Sequence, residues 1–580
     1  MPEMDVKVYD DFRKGQNDTS APNQLDDAEL EKAYNADLSE RGGFITRRGV
    51  EKYNPTSYNG VITDGIEWTI GNVVKDIIVK DKVLYEVKPD KTLVPKQSVQ
   101  SDTLSFLVIR SIFYFADGNE IYEWGNFDYF STTTGAQDIK IGDIVKHTDG
   151  KFYQSNLNRT GVDLSAEDYT NTTNWTDVTE INDIISNVIR PIKPTAKDQN
   201  GIDITDNNLT PIKKCTMFIQ HPSSLRIFAA GNPDDPTALF YSEPNDIGYF
   251  KETSKAYPYT NDGKITAICN LSDDLLVSYN NIWYHWRGID PTTDAIWKPL
   301  PIPYGCVAHH SIALTPFSIT FLGQDAIYRV SASILSQEVV MVQPDQIIDR
   351  LSENKVERTL KTIKNKEKVR AVFHDNKYML AFSDDDTISY NNKVLVYFWN
   401  RPGGFVVYTG WEHYAWYKKT NGELLFTSKN YLLTTNKGYS DIDVDTGEKK
   451  GICFSVLSKQ YHFGYMLNPK YLRFLFLAFR QHEQTESFVN ITLLGDYVDV
   501  LIENVDLAES LIWQRLWSKK WGFADMIQKG AEINKIATSF QVLIENDRID
   551  DPVTVYAIGF GFEPLESNPE MISREEDLLQ

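Results

Sequence analysis

Three aspartates at alternate positions, Asp441, Asp443 and Asp445 in DIDVDTGEKKGI, are the nearest this sequence comes to a metal-binding signature. They match the first, third and fifth positions of a calcium loop. The glycine, however, falls one place late at Gly447, and the twelfth position is Ile452, which offers no carboxylate. A solvated hairpin tip is the simpler reading, and Asp384, Asp385 and Asp386 in FSDDDTISYNN read the same way. His309 and His310 in GCVAHHSIALTP could serve a metal or acid–base chemistry. On a strand, neighbours face opposite ways, so the two imidazoles are expected to diverge, one of them buried and hydrogen-bonded. The sequence contains no HExxH, GxSxG, Walker or dinucleotide fingerprint. With 81 acidic residues, no single carboxylate pair stands out as a glycosidase dyad. The expectation is a protein that is not an enzyme and needs no cofactor or metal.

One aromatic pair offers a different chemistry. Tyr153 and Trp175 lie in the segment 136–180, and flat rings of this kind stack on sugar faces. Equally, these rings could form the segment's own minimal core, since about forty-five residues supply few other large side chains. Both readings stay open at this level.

The chain that must position these residues has 580 residues, more than one ordinary core accommodates. Its 31 Tyr, 29 Phe and 12 Trp suit strands better than helices. A formal charge of −22 excludes a general electrostatic footprint on nucleic acid, so any contact with DNA is one of repulsion or confinement. Cys215, Cys269, Cys306 and Cys453 lack CxxC spacing and read as small buried apolar residues, without zinc or a disulfide frame. MPEMDVKVYDDFRKGQND has no apolar signal core, and YLRFLFLAF is too short to span a bilayer. A soluble protein made in the cytoplasm is expected.

Residues 1–56 form a polar arm with one helix-capable piece, DDAELEKAYN, then a Gly-Gly turn. Phe44 and Ile45 are apolar residues in a polar terminus, beside the basic Arg47 and Arg48. Burial against another surface explains them best, so Phe44, Ile45, Arg47 and Arg48 are expected to reach a neighbouring subunit. The alternative is that the arm closes its own fold by adding an outer strand. From residue 57 strand signals dominate: DIIVKDKVLYEV, LRIFAAGNPDDPTALFYSEPNDIGYF, DDLLVSYNNIWYHW and HDNKYMLAFS alternate strands with polar turns. Their recurrence every 40–60 residues, roughly, fits the blades of a β-propeller. Residues 57–135 and 181–455 are thus two runs of blades around an inserted β module at 136–180. VQPDQIIDRLSENKVERTLKTIKNKEK at 342–368 has helical spacing and predicts surface helices between blades. Residues 456–580 return to strands in a sandwich-like C-terminal sheet with an acidic tail. The fold class is all-β.

Several blocks, taken in order, carry a family resemblance. They are AYNADLSERGGFITRRGVEKYN, LRIFAAGNPDDPTALFYSEPNDIGYF, KITAICNLSDDLLVSYNNIWYHWRG, YGCVAHHSIALTPFSITFLGQDAIYRVS, KVRAVFHDNKYMLAFS and NPKYLRFLFLAF. In this order the chain resembles the β-propeller tail proteins of tailed bacteriophages, which form the nozzle or DNA-stabilising plug below the portal and adaptor. It departs from them at Ala326, where the family often has glycine. The resemblance implies a structural virion protein of the tail, assembled as a homohexamer ring beside portal and adaptor, retaining the genome and conducting viral DNA without sequence preference. Residues 136–180 resemble small carbohydrate-binding modules of chitinase type through Gly142, Asp143, Val145, Gly150, Lys151, Tyr153 and Trp175. That likeness implies contact with host surface glycans through Tyr153 and Trp175. The competing reading is a host-glycan-binding β-propeller adhesin.

Overall fold

Tight turns set the strand pairing. Asp81 and Lys82 both have positive φ, 49° and 59°, as do Asp375 and Asn376, 50° and 54°. Two such residues make a turn whose twist matches that of the flanking strands. Val73–Lys80 therefore folds back on Val83–Val87, and Arg370–His374 on Lys377–Phe382. The computed structural model describes residues 4–70, 73–109, 112–125, 130–132, 136–139, 143–157, 159–177, 189–196, 202–259, 263–293, 296–300, 304–331, 348–401, 403–466, 468–480, 487–507 and 526–565.

Among these residues the hairpins build seven four-stranded antiparallel blades. Blade 1 spans Ile62–Ile70 to Leu93–Ser98, and blade 2 runs from Ser105–Ile109 through Ile121–Trp124 to Ile189–Pro191. Blades 3, 4 and 5 run from Met217–Gln220 to Lys255–Ala256, from Ala267–Leu271 to Lys298–Pro299, and from Ala313–Thr315 to Ile348–Arg350. Blade 6 covers Arg370–His374 to Phe405–His413. Blade 7 takes Trp416–Lys418, Leu424–Thr427 and Leu432–Lys437, and its outer strand is Gly49–Lys52 from the N-terminal segment. First strands touch between blades 2 and 3, 3 and 4, 5 and 6, 6 and 7, and 7 and 1, and shared apolar clusters join blade 1 to blade 2 and blade 4 to blade 5, so the ring is closed around an axis.

Each blade-to-blade junction has its own apolar cluster. Trp68 of blade 1 meets Phe113 and Trp124 of blade 2, Phe228 of blade 3 meets Trp286 of blade 4, and Trp283 of blade 4 meets Phe321 of blade 5. Tyr417 and Leu425 of blade 7 close on Ile62 and Ile78 of blade 1. A polar clamp reinforces this last junction: the Tyr417 hydroxyl donates to Asp76 Oδ1 at 2.5 Å, while Tyr53 and Lys419 hold the other oxygen. The aromatic richness of the sequence is spent at these junctions.

The outer strand of blade 6 continues through Gly15–Gln16, Glu29–Tyr34, Phe454–Ser458, Phe540–Asn546 and Phe488–Gly495 to Val498–Asp506. A second sheet holds Ala36–Leu38, Phe44–Thr46, Thr554–Pro564, Lys470–Arg480 and Met526–Ala537, with Asp5–Tyr9 paired to Thr554–Pro564. The two sheets face each other over Leu472, Phe479, Phe540, Ile544, Phe560 and Phe562, a sandwich whose core is continuous with the junction of blades 6 and 7.

Three expectations change here. The N-terminal segment is woven through both bodies of its own chain, so the expectation of an arm docked on a neighbour gives way to the outer-strand alternative. DDAELEKAYN is not helical, because Glu29–Tyr34 pairs as a strand with Phe454–Ser458 and Gly15–Gln16. Of the helices expected over 342–368, the described part contains Glu357–Thr362 and a short turn, Lys366–Lys368, while Ile348–Arg350 is the outer strand of blade 5; residues 342–347 lie outside the described residues.

The inserted module sits between the third and fourth strands of blade 2. Phe130–Ser131, Ile144–Lys146, Phe152–Ser155 and Trp175–Asp177 share one sheet, so it begins before residue 136. Trp124 and Ile189, which flank the insertion, are direct cross-strand partners. Replacing residues 127–187 with a short Gly-Asn loop should therefore leave the propeller folded, since joining adjacent ends adds little closure entropy. The melting temperature should match the intact chain and a near-ultraviolet signal from the propeller's packed aromatics should persist; a collapse of either would show that the module supports blade 2.

Candidate site at the mouth of the propeller axis

All first strands enter the axis from one end, so the turns preceding them converge there. Blade 6 enters with Arg370, blade 1 contributes Asp64, blade 2 Thr103 and Leu104, blade 5 the turn His309–Ser311, and the end of the outer strand of blade 6, just ahead of blade 7, His413. Arg370 Nη2 donates to Thr103 Oγ1 at 3.3 Å, crossing from blade 6 to the entry of blade 2. Trp416 Nε1 donates to the Arg370 carbonyl at 3.2 Å and fixes the base of that side chain's strand. Backbone N–H groups of Leu104 and Gly65 donate to the two carboxylate oxygens of Asp64 at 3.2 and 2.9 Å. His413 is fully buried, with ring centroids 4.2 Å from Trp416 and 5.4 Å from Phe426.

His309 and His310 do not alternate on a strand. The strand begins only at Ala313, and the two lie in a tight 3-10 turn with ring centroids 5.1 Å apart. The turn is pinned by the Tyr378 hydroxyl, which donates to the Ser311 carbonyl at 2.9 Å.

Burial, assisted by the positive charge of Arg370, holds His309 down to about 4 and His413 down to about 3, and keeps His310 well below the ordinary imidazole value. Burial pushes the Asp64 carboxyl up to about 6, with Arg370 opposing the rise. These shifts have opposite consequences for stability. A histidine whose folded pKa is depressed stabilises the fold fully above its unfolded value, near 6.5, and loses that contribution as the pH falls towards 3–4. Asp64, with its folded pKa raised, regains stability as the pH falls through 6. Three histidines outweigh one aspartate. His413 alone should cost about 2 kcal/mol between neutral pH and pH 5. The melting temperature should fall steeply over that window, and His413→Phe should flatten the acid limb; an unchanged limb would separate the imidazole from acid sensitivity.

The other sequence-predicted residues have structural positions. Arg47 is completely buried and forms a forked pair with Asp441, at 2.9 and 2.6 Å. Its Nε donates to Asn35 Oδ1 at 2.8 Å, Nη2 donates to the Thr409 carbonyl at 3.0 Å, and the guanidinium lies 4.6 Å from the Trp411 ring. Phe44 is in the sandwich core, Ile45 is half-buried beside it, and Arg48 is exposed over the Tyr439 ring at 4.3 Å. The intersubunit reading of Phe44 and Arg47 is thereby corrected. Asp441, the first position of the calcium-like series, is spent on Arg47, and Asp443 Oδ1 accepts the backbone N–H groups of Asp445 and Thr446 in a turn. Among the described residues no group of His, Cys, Asp and Glu is arranged to hold a metal.

Tyr153 and Trp175 are buried in the module, 8% and 1% exposed, with Tyr169 between them at 4.8 Å from each ring. Trp175 Nε1 donates to Glu167 Oε2 at 3.0 Å, and Arg159 covers its ring at 4.7 Å. Their faces are taken up within the module, so the sugar-stacking role expected of this pair gives way to the core reading. Cys215, Cys269 and Cys306 are buried as expected, whereas Cys453 is exposed.

Ser224 and His221 form a hydroxyl–imidazole pair at 2.9 Å. The other ring nitrogen lies 3.0 Å from the Asp273 carbonyl instead of a carboxylate, and both residues are buried away from any substrate. Sequence reading missed Arg370 and Asp64. The signal was present: one charge heads the apolar run RAVF and another interrupts VITDGI, which suits strands facing a polar axis.

No helix among the described residues is long and apolar enough to cross a membrane. No family model and no curated protein matches this chain. Among solved structures, a similar one is PorZ, a surface component of the type-IX secretion system of Porphyromonas gingivalis, at 11% identity and TM-score 0.32; the match covers 65% of this chain and 37% of that one. The Neurospora crassa Pan2 WD40 domain matches at 8% identity over 69% of this chain and 96% of that one, with TM-score 0.33. The exo-β-1,3-galactanase of Phanerochaete chrysosporium matches at 9% identity over 80% of this chain and 96% of that one, with TM-score 0.21. At such scores, the blade count and ring closure rest on this chain's own sheets.

Proposed function

We propose that this chain is a structural component of a bacteriophage tail, a nozzle or hub below the portal and adaptor. In this reading it forms a homohexameric ring that retains the genome and conducts DNA, and it is not an enzyme. The observation that carries the reading is the ordered series of sequence blocks resembling propeller tail proteins, all of which fall on blades or the sandwich. Two features support it. The N-terminal segment ties propeller and sandwich into one continuous core, which suits a part that bears load. A charge of −22 gives DNA little to adhere to. The glycan-adhesin alternative loses its best candidates, because Tyr153 and Trp175 are interior. The test is mass spectrometry of purified virions with native mass measurement of the full chain alone and with portal and adaptor. Stoichiometric presence in virions and a six-fold ring are expected. Absence from virions, or release of reducing ends from cell-surface glycans by the purified chain, would overturn the reading.

A further inference from the structure

The mouth of the axis opens into a cavity of about 370 Å³, whose lining includes Thr63, Thr103, Lys368, Arg370, Asn391 and His413. Two properties set it apart. First, neither the Arg370 guanidinium nor the Lys368 ammonium has an ion pair among the described residues, in a chain with 81 acidic and 59 basic residues. The Arg370 hydrogen bonds are long and to neutral oxygens: Thr103 Oγ1 at 3.3 Å, and the Val369 and Glu367 carbonyls at 3.2 and 3.3 Å. Second, both ring nitrogens of the fully buried His413 lack a hydrogen-bond partner, as does Nδ1 of His309. Buried polar groups without partners are uncommon in folded proteins and point to something that completes them.

The nearby carboxylates do not supply that completion. Both oxygens of Asp64 accept backbone N–H groups. Asp81 and Asp102 also line the cavity; Asp81 is paired with Lys80 at 2.8 Å, and Glu367 nearby faces Lys264 at 3.3 Å. Tyr414 and His413 complete the titratable groups that line it.

We propose that this cavity is a binding site for a small oxyanion of the phosphate or carboxylate class, held by the Arg370 fork and Lys368. Guanidinium matches such anions in a two-pronged geometry; the Thr103 hydroxyl, which accepts from Arg370, and the second amide N–H of Asn391, whose first goes to the Lys368 carbonyl at 3.0 Å, offer neutral donors for the remaining lone pairs. An anion beside Arg370 would offset only the smaller, charge-borne part of what keeps His309, His310 and His413 neutral; burial, the larger cause, stays.

The test is calorimetric titration of the full chain with inorganic phosphate, and in a separate arm with citrate, at roughly pH 5.5 and 7.5 and matched ionic strength. Saturable binding is expected at both pH values. Displacement of one anion by the other ranks phosphate against carboxylate. R370Q should abolish binding, R370K should weaken it, and K368Q should weaken it several-fold. Because R370Q also removes the counter-charge of Asp64, K368Q at the exposed rim tests the site without disturbing the fold. Absence of saturable binding by either anion at both pH values overturns the proposal, as does equal binding by the wild type, R370Q and K368Q.

Discussion

Arg47→Ala should lower the unfolding free energy by about 3–5 kcal/mol, the range found when one member of a buried ion pair is removed. Asp441 would be left charged in a site with 2% exposure, its forked partner gone. Asn35 Oδ1 and the Thr409 carbonyl would lose a donor at the same time. Asp441→Asn should have a comparable effect, because it strands a guanidinium with no route to water. The double change Arg47→Met with Asp441→Leu should recover much of the loss, since neither charge then remains to be solvated. Urea unfolding of the four proteins checks this, and an Arg47→Ala variant as stable as the parent would refute it. The pair joins the N-terminal segment to the end of blade 7, so the damage should also appear as faster proteolysis near residue 50.

Removing residues 1–52 should have the larger effect, leaving no folded monomer. The deletion takes away the outer strand of blade 7, the strands that bridge propeller and sandwich, and a hairpin of the second sheet. It also removes Phe12, Leu30, Phe44 and Val50, all at most 1% exposed. Truncating one large core side chain costs about 2–5 kcal/mol, and a domain's whole stability is about 5–15 kcal/mol. Size exclusion, dichroism and limited proteolysis should show aggregated or protease-sensitive chains. Well-folded monomers that merely fail to assemble would restore the neighbour-docked arm.

What could be seen from the sequence was local. DNK in HDNKYMLAFS and the alternating apolar runs announce hairpins, because turn residues and their strands are contiguous. The inserted module and the return to strands near residue 456 were visible for the same reason. The N-terminal weave was not. Glu29–Tyr34 is built from Glu, Leu, Lys and Ala, good helix formers, and only its neighbours across the sheet make it a strand. Arg47 finds Asp441 at a separation of 394 residues, which no spacing rule reaches. At the axis, Arg370 and Asp64 were readable as charges out of place, but which blades face each other depends on ring closure. His309 and His310 were misassigned because strand alternation was extended to a turn that precedes the strand.

The Gly49–Lys52 strand has a partner that is made late. Gly49 pairs with Lys437, and Phe44 with Val555, so the clasp of blade 7 and the second sheet cannot form until nearly the whole chain has left the ribosome. At ordinary synthesis rates that is a wait of roughly 20–80 s for Gly49, during which its edges have nothing to pair with. Such long-range pairing makes ring closure slow and late. It also acts as a proofreading step: a chain broken off before Lys437 cannot fasten its propeller, one broken off before Val555 cannot complete the second sheet, and only finished copies present the rigid surface that an assembly can accept.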